Sequence, residues 1–220
     1  MKYVAEQFDF PVDFPADFLE IQPMTGIVDD KYRLNISIVR PSFNILECSV
    51  FDHPAHALVN SVNCIGVMGA GIALEFKNKF PMMFEDYKSY CKRGKLHPGD
   101  AYLFKFDSNS YIIGLAVKND WRQWSTLEWL EASIKSLKLT ILENDIKSVN
   151  LPVLGGKNGR RGPHGKVPNM TEPPEFKDII KLLQSELEPF ANKFGIQINL
   201  CIPNDKPKIK REEVSSQFFI

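Results

Sequence analysis

The sequence predicts a three-layer α/β/α fold, with a central mixed but mostly parallel sheet between helical layers and an N-terminal extension ahead of it. Three observations predict it. From residue 43 onward, short β-branched and aliphatic runs alternate with helical segments, which is the pattern of strand–helix–strand units whose sheet is covered on both faces. Two of the runs lead straight into glycine-rich loops, "GVMGAGIA" at 66–73 and "LPVLGGKNGRRG" at 151–162, as happens where a strand must turn sharply towards a helix. The tetrapeptide "DSNS" at 107–110 joins two strand-like runs as a hairpin turn, so one pair is antiparallel and the sheet is mixed.

In chain order, residues 1–31 are rich in Phe, Pro and acid and show no sustained period, and "YRLNISIVR" at 32–40 reads as a strand. Residues 1–40 are therefore expected to be an appended arm or an extra edge strand. The apolar runs at 43–50, 57–62, 101–106, 111–117, 147–154 and 195–202 are the expected strands, each short and rich in Val, Ile, Leu or Phe. Helices are expected at 70–80, 82–92, 125–143 and 174–193, the last two opened by Ser125 and by the Pro173–Pro174 pair. In the third helix Leu127, Leu130, Ile134, Leu137 and Ile141 form one stripe, which reads as core packing. The end, "NDKPKIKREEVSSQFFI" at 204–220, is charged and aperiodic and reads as a tail.

Composition narrows the classes of function. Lys plus Arg equal Asp plus Glu at 27 each, so the chain lacks the bulk positive charge of a general nucleic-acid binder, and any such contact must be local. Cys48, Cys64, Cys91 and Cys201 are widely spread with no CxxC pair, and the four histidines add no ligand spacing; neither a zinc site nor a disulfide framework is expected. A reducing compartment fits this cysteine usage. No apolar run approaches a membrane span, and the opening "MKYVAEQFDFPVDFPADF" is broken by Asp and Pro, so neither a membrane anchor nor a signal peptide is expected and residence is expected to be cytoplasmic.

The glycines Gly66, Gly69 and Gly71 are spaced GxxGxG, the reverse of a dinucleotide-binding GxGxxG, and no acid stands where one would hold a ribose; a GxxxxGK[ST] phosphate loop is also lacking. What remains is a strand end, a glycine loop and a helix N-terminus, which together offer backbone N–H groups to an anion. The second glycine loop repeats the arrangement, so the pair could clamp a diphosphate, or both could be tight turns only.

The segments "ALVNSVNCIGVMGAGIALEFKNKFPMMFEDYKSYCKRGKLHPGDAYLF", "GLAVKNDWRQWSTLEWLEASI" and "LPVLGGKNG", in that order, resemble the macrodomain family, in the branch that holds the DarG antitoxin, a DNA ADP-ribosylglycohydrolase, and the terminal ADP-ribose protein glycohydrolase. The resemblance covers about residues 43–202. It divides the chain into an extension at 1–40, a macrodomain at 41–203 and a tail at 204–220. It implies an ADP-ribose-binding hydrolase that cleaves at the distal ribose C1″ of a modified DNA base or protein side chain. The alternatives it leaves are a phosphatase acting on ADP-ribose 1″-phosphate and a reader that binds without turnover. The partners it implies are ADP-ribose or an ADP-ribosylated macromolecule, ADP-ribosylated single-stranded DNA among them, and an ADP-ribosyltransferase toxin. Neither a metal nor a cofactor is expected.

Carried onto this sequence, the resemblance places Gly66, Val67, Met68, Gly69, Ala70, Gly71 and Ile72 over the distal ribose and diphosphate, and Leu154, Gly155, Gly156, Lys157, Asn158 and Gly159 on the opposing side. Asn63 would face the distal ribose as a catalytic residue. Lys118 falls on the lysine that this branch uses in catalysis. A lysine desolvated at a strand end can carry a neutral amine, able to attack C1″ as a Schiff-base nucleophile, or can stay charged and stabilise the leaving group. Ser49, followed by Val50, stands where many macrodomains place an Asp on adenine. The loop "LGGKNGRR" has no acid, and an insertion at 162–174, with His164 as a possible general acid or an inert loop residue, follows it. Lys157, Arg160, Arg161 and Lys166, with Arg122 and the aromatic Trp121 or Trp124, form a basic rim. It could grip a nucleic-acid backbone and stack a base, or could be a solvated loop.

Overall fold

The computed structural model describes residues 42–155 and 174–203. The expected strand at 32–40, the insertion at 162–174 up to Pro173, and the tail at 204–220 lie outside them. The described chain runs β1 (Ser42–Leu46), β2 (Ala57–Asn63), α1 (Gly71–Lys79), α2 (Pro81–Lys92), β3 (Ala101–Asp107), β4 (Ser110–Lys118), α3 (Leu127–Glu143), β5 (Ser148–Pro152), α4 (Phe176–Phe194) and β6 (Gln197–Cys201).

The six strands form one sheet in the order β1-β6-β5-β2-β4-β3. Every pairing is parallel except β3 with β4, the hairpin at 107–110. β4 is a nearly continuous apolar run, as a strand covered on both faces is expected to be, whereas β2 carries Asn60, Ser61 and Asn63 among its apolar residues. On one face α3 and α4 close a core that includes Val59, Ile113, Leu137, Leu151, Leu183 and Ile198. On the other, α1 and α2 close a second core around Phe76, Met83, Tyr87 and Ile112. At about 25 cal/mol per Å², each such buried aliphatic or aromatic side chain contributes roughly 1.5–3 kcal/mol.

Several boundaries differ from the sequence expectation, each for a local reason. β1 stops at Leu46, because Asp52 Oδ2 accepts the Ser49 N–H at 2.8 Å and turns the chain away from the sheet. Thr126, not Ser125, caps α3, accepting the Trp129 N–H at 3.3 Å. The buried stripe of α3 starts at Leu130, while Leu127, in the first turn beside exposed Glu128, is 48% exposed. α4 begins at Phe176 behind Glu175, so Pro174 sits just outside the helix, where its missing N–H leaves no bond unmade. The four cysteines are free thiols, and no described helix is long and apolar enough to cross a membrane.

Candidate active site

β1, β2, β4, β5 and β6 are parallel, so their carboxyl ends share one edge of the sheet. That edge carries most of the described residues singled out above: Ser49 and Val50 follow β1, Asn63 ends β2 and the glycine loop follows it, Lys118 ends β4, and Leu154 and Gly155 follow β5. Ligands of open α/β sheets bind there.

The loop at 63–71 is built on Asn63, only 6% exposed. Its Oδ1 accepts the N–H groups of Ile65 at 3.1 Å and Val67 at 3.2 Å, and its Nδ2 donates to the Val67 carbonyl at 2.6 Å. Tyr87, from α2, donates to the Asn63 carbonyl at 2.5 Å. The side-chain amide is thus engaged in shaping the loop. Gly66 has φ +79°, and a Cβ there would stand 3.4 Å from the Lys88 backbone, so both conformation and space call for glycine. Gly69, Ala70 and Gly71 are exposed and Met68 is buried. Ala70 caps α1 with no side-chain acceptor, and the first turn carries no acid. The helix therefore offers its first N–H groups and its positive dipole end without a side-chain anion of its own.

Lys118 pairs with Asn63 across β2 and β4, just past a register shift at Val62/Asn63. The Cys64 N–H donates to the Asn119 carbonyl at 2.9 Å, tying the glycine loop to the end of β4. Lys118 is 8% exposed. Burial lowers its pKa from 10.5 to about 8, and the Asp120 carboxylate opposes part of that fall. Asp120 is itself held by Arg122, Nη1 to Oδ2 at 3.0 Å. At pH 7.5 such an amine is neutral in about a quarter of molecules, against about one in a thousand for a solvated lysine.

Gly155 opens the second loop with φ +62°, and a Cβ there would meet Ser125 Cβ at 3.0 Å and Oγ at 3.1 Å. Ser125 is thus the wall behind this turn. The indole Nε1 of Trp124 and the hydroxyl of Ser125 are buried with no hydrogen-bond partner among the described residues. Trp124 is 8% exposed and cannot offer its face to a base; Trp121 is 40% exposed and carries the Arg122 guanidinium 4.9 Å from its ring centre. Gly156, Lys157, Asn158, Gly159, Arg160, Arg161, His164 and Lys166 lie outside the described residues. Among the described residues no group of three or more His, Cys, Asp or Glu side chains could hold a metal ion. Sequence reasoning missed Tyr87, Ser125, Asp52 and Asn150, the last of which donates to the Val50 and His53 carbonyls.

The Macro domain family model matches residues 59–161. The DNA ADP-ribosyl glycohydrolase of Mycobacterium tuberculosis is 43% identical over 106 residues, 47% of this chain and 30% of that protein. Its counterpart from Thermus aquaticus is 37% identical over 114 residues, 50% of this chain and 32% of that protein. The chain thus spans under a third of the length of these curated relatives. The solved macrodomain of Mycobacterium tuberculosis DarG superposes with a TM-score of 0.62 at 30% identity, covering 74% of this chain and 98% of that one.

Proposed function

The chain belongs to the macrodomain family, and from that premise we propose that it binds ADP-ribose across the sheet edge and hydrolyses an ADP-ribosyl linkage at the distal C1″, with modified DNA as the target. The observation that carries the reading is Lys118, a lysine 8% exposed at the end of β4, paired with Asn63 and with its pKa lowered to about 8. Burying a lysine is costly, and a neutral amine beside a glycine loop has a use in this chemistry.

In the proposed step the neutral Lys118 amine adds at C1″ of the ring-opened distal ribose. The bond from C1″ to the target atom breaks, and that atom leaves with the proton shed by the lysine. Water then hydrolyses the lysyl imine, which returns the amine and frees ADP-ribose. Gly66 to Ile72 hold the distal ribose and diphosphate from one side and Leu154 to Gly159 from the other. Asn63 keeps the first loop in place and borders the distal ribose, and Ser49 and Val50 meet the adenosine end.

A polyanionic target fits the charge near the loop. Residues 88–95 contain Lys88, Lys92, Arg93 and Lys95 and no acid, in a chain of zero net charge, and Gly66 packs against Lys88. Trp121 and Arg122, next along the chain from Lys118, offer a stacking face and a cation; Arg160 and Arg161 complete the proposed rim. The partner activity is an ADP-ribosyltransferase whose product this chain would reverse.

Turnover should be measured on ADP-ribosylated single-stranded DNA, on protein ADP-ribosylated at Glu, and on ADP-ribose 1″-phosphate. Release of ADP-ribose from DNA is expected to be the fastest. Binding of ADP-ribose with turnover of none of the three would assign a reader instead, and turnover of the phosphate ester alone would assign a phosphatase.

A further inference from the structure

Away from the groups placed at the chemistry, three asparagines form a hydrogen-bonded row through the sheet. Asn44 on β1, Asn199 on β6 and Asn150 on β5 stand in register on adjacent parallel strands. Asn44 Nδ2 donates to Asn199 Oδ1 at 3.0 Å, and Asn199 Nδ2 donates to Asn150 Oδ1 at 2.9 Å. Asn150 Nδ2 directs its two hydrogens to the carbonyls of Val50, at 3.0 Å, and His53, at 2.7 Å. Asn150 is fully buried and Asn199 is 4% exposed.

The polarity of this row has one solution. The two loop carbonyls can only accept, so Asn150 must turn its NH₂ to the loop and its oxygen to Asn199. That oxygen obliges Asn199 to donate, and the Asn199 oxygen in turn obliges Asn44 to donate. A chain of amide dipoles, all pointing one way, therefore runs from β1 to the 49–53 loop. The loop itself is a closed turn, with the Ser49 N–H on Asp52 Oδ2 at 2.8 Å and the Asp52 N–H on the Ser49 carbonyl at 3.1 Å. The two bonds from Asn150 anchor that turn to the sheet beneath it. Val149, Leu151, Ile198 and Leu200, next along these strands, point to the opposite face of the sheet and join the core beneath α3 and α4; the row lies on the other face, where buried amides are tolerated only if every member is satisfied.

We propose that the Asn44–Asn199–Asn150 row is a positioning device for the adenosine side of the site. It fixes the pose of the 49–53 loop and thereby the affinity for the adenosine portion of the ligand, and it leaves the cleavage step alone. This rests on the reading above that Ser49 and Val50 meet the adenosine end of ADP-ribose.

The test measures AMP and ADP-ribose affinity by calorimetry, and kcat and KM on the substrate that the wild type cleaves, for Asn150→Val, Asn44→Asp and the double variant. Asn150→Val removes both loop donors. Asn44→Asp keeps the shape, but a carboxylate cannot donate to Asn199 Oδ1, and the position is half-buried on β1, where Asn44 bonds to Ser42 and Asn199. Loss of two buried hydrogen bonds should weaken AMP and ADP-ribose by the same factor, about tenfold, in Asn150→Val, with KM raised and kcat within about twofold. Asn44→Asp should weaken both ligands about threefold, and the two factors should not multiply in the double variant, since both changes break one row. Unchanged AMP affinity in the folded variants, a loss of kcat in place of affinity, or fully multiplicative factors would each overturn the proposal. If Asn150→Val does not fold, Asn44→Asp decides alone, and AMP binding as in the wild type overturns it. A wild type that binds no ADP-ribose would instead remove the functional reading on which the row's role depends.

Discussion

The dependence of cleavage rate on pH tests Lys118 through a quantity that the fold itself sets. With a pKa of about 8, the neutral amine makes up about 3% of molecules at pH 6.5, half at pH 8 and about 90% at pH 9. If the neutral amine attacks C1″, kcat measured at saturating substrate should rise about 30-fold over that range and level off above pH 8. An ordinary solvated lysine would instead drive a rise that continues past pH 9 with no break. Asp120 raises the Lys118 pKa, so Asp120→Asn should move the break to lower pH and increase the rate on its acid side. Lys118→Arg keeps a charge that does not titrate in this range and cannot form an imine, so it should be inactive at every pH while still binding ADP-ribose. The assay is release of ADP-ribose from a modified oligonucleotide, resolved by chromatography at half-unit intervals of pH. A rate that falls above pH 8, with a partly active Arg variant, would transfer Lys118 to charge stabilisation of the leaving group. A profile with no break between pH 6.5 and 9, or full activity in Lys118→Ala, would refute the argument.

Three further outcomes are expected. Gly69 has no positive φ, and a Cβ there would meet only Val67 Cγ1, at 3.8 Å; Gly69→Glu should fold with a near-normal Tm and lose ADP-ribose affinity by more than about 3 kcal/mol, over a hundredfold by calorimetry, because a carboxylate would enter phosphate space. Gly155→Ala combines a left-handed backbone with a 3.0 Å contact on Ser125 and should destabilise the fold by about 1–3 kcal/mol in urea unfolding. Lys118→Met should stabilise the fold at pH 7 by up to about 3 kcal/mol, since a lowered lysine pKa means that the unfolded chain binds the proton more tightly. The penalty is at its full size below pH 8 and fades as pH rises towards 10.5, so the Tm advantage of Lys118→Met should shrink over that window.

The layers and the pairing of the hairpin could be read from the sequence because they depend on near-neighbour signals, such as apolar runs and a turn tetrapeptide. Where adjacent residues competed for one role, pattern alone could not choose between them. Ser125 and Thr126 are both cap residues by type, and the packing of Ser125 against Gly155, 30 positions away, leaves Thr126 to cap. Leu127 matched the stripe of α3 in spacing, yet a stripe does not reveal where the covering layer ends. The β1 run read on through Cys48 and Val50 because an Asp three residues after a Ser carries no mark that its side chain will take the backbone N–H.

The site divides along the same line. Lys118 and the two loops stood out by motif, and the structure adds a lowered pKa for the lysine with its cause, burial only partly offset by Asp120. The groups that hold the loops were invisible for a common reason. Tyr87 looks like one more apolar residue on the buried face of α2, until its hydroxyl is found on the Asn63 carbonyl. Asn44, Asn150 and Asn199 look like interruptions in three apolar strands, until the sheet order sets them side by side. A buried polar residue gains its meaning from a partner far away in sequence, and strand order supplies that partner. Such a residue in an otherwise apolar strand is therefore the place to look for a support that motif comparison cannot find, and the asparagine row makes this testable at Asn44, which bonds to Ser42 and Asn199 and reaches the 49–53 loop through Asn199 and Asn150.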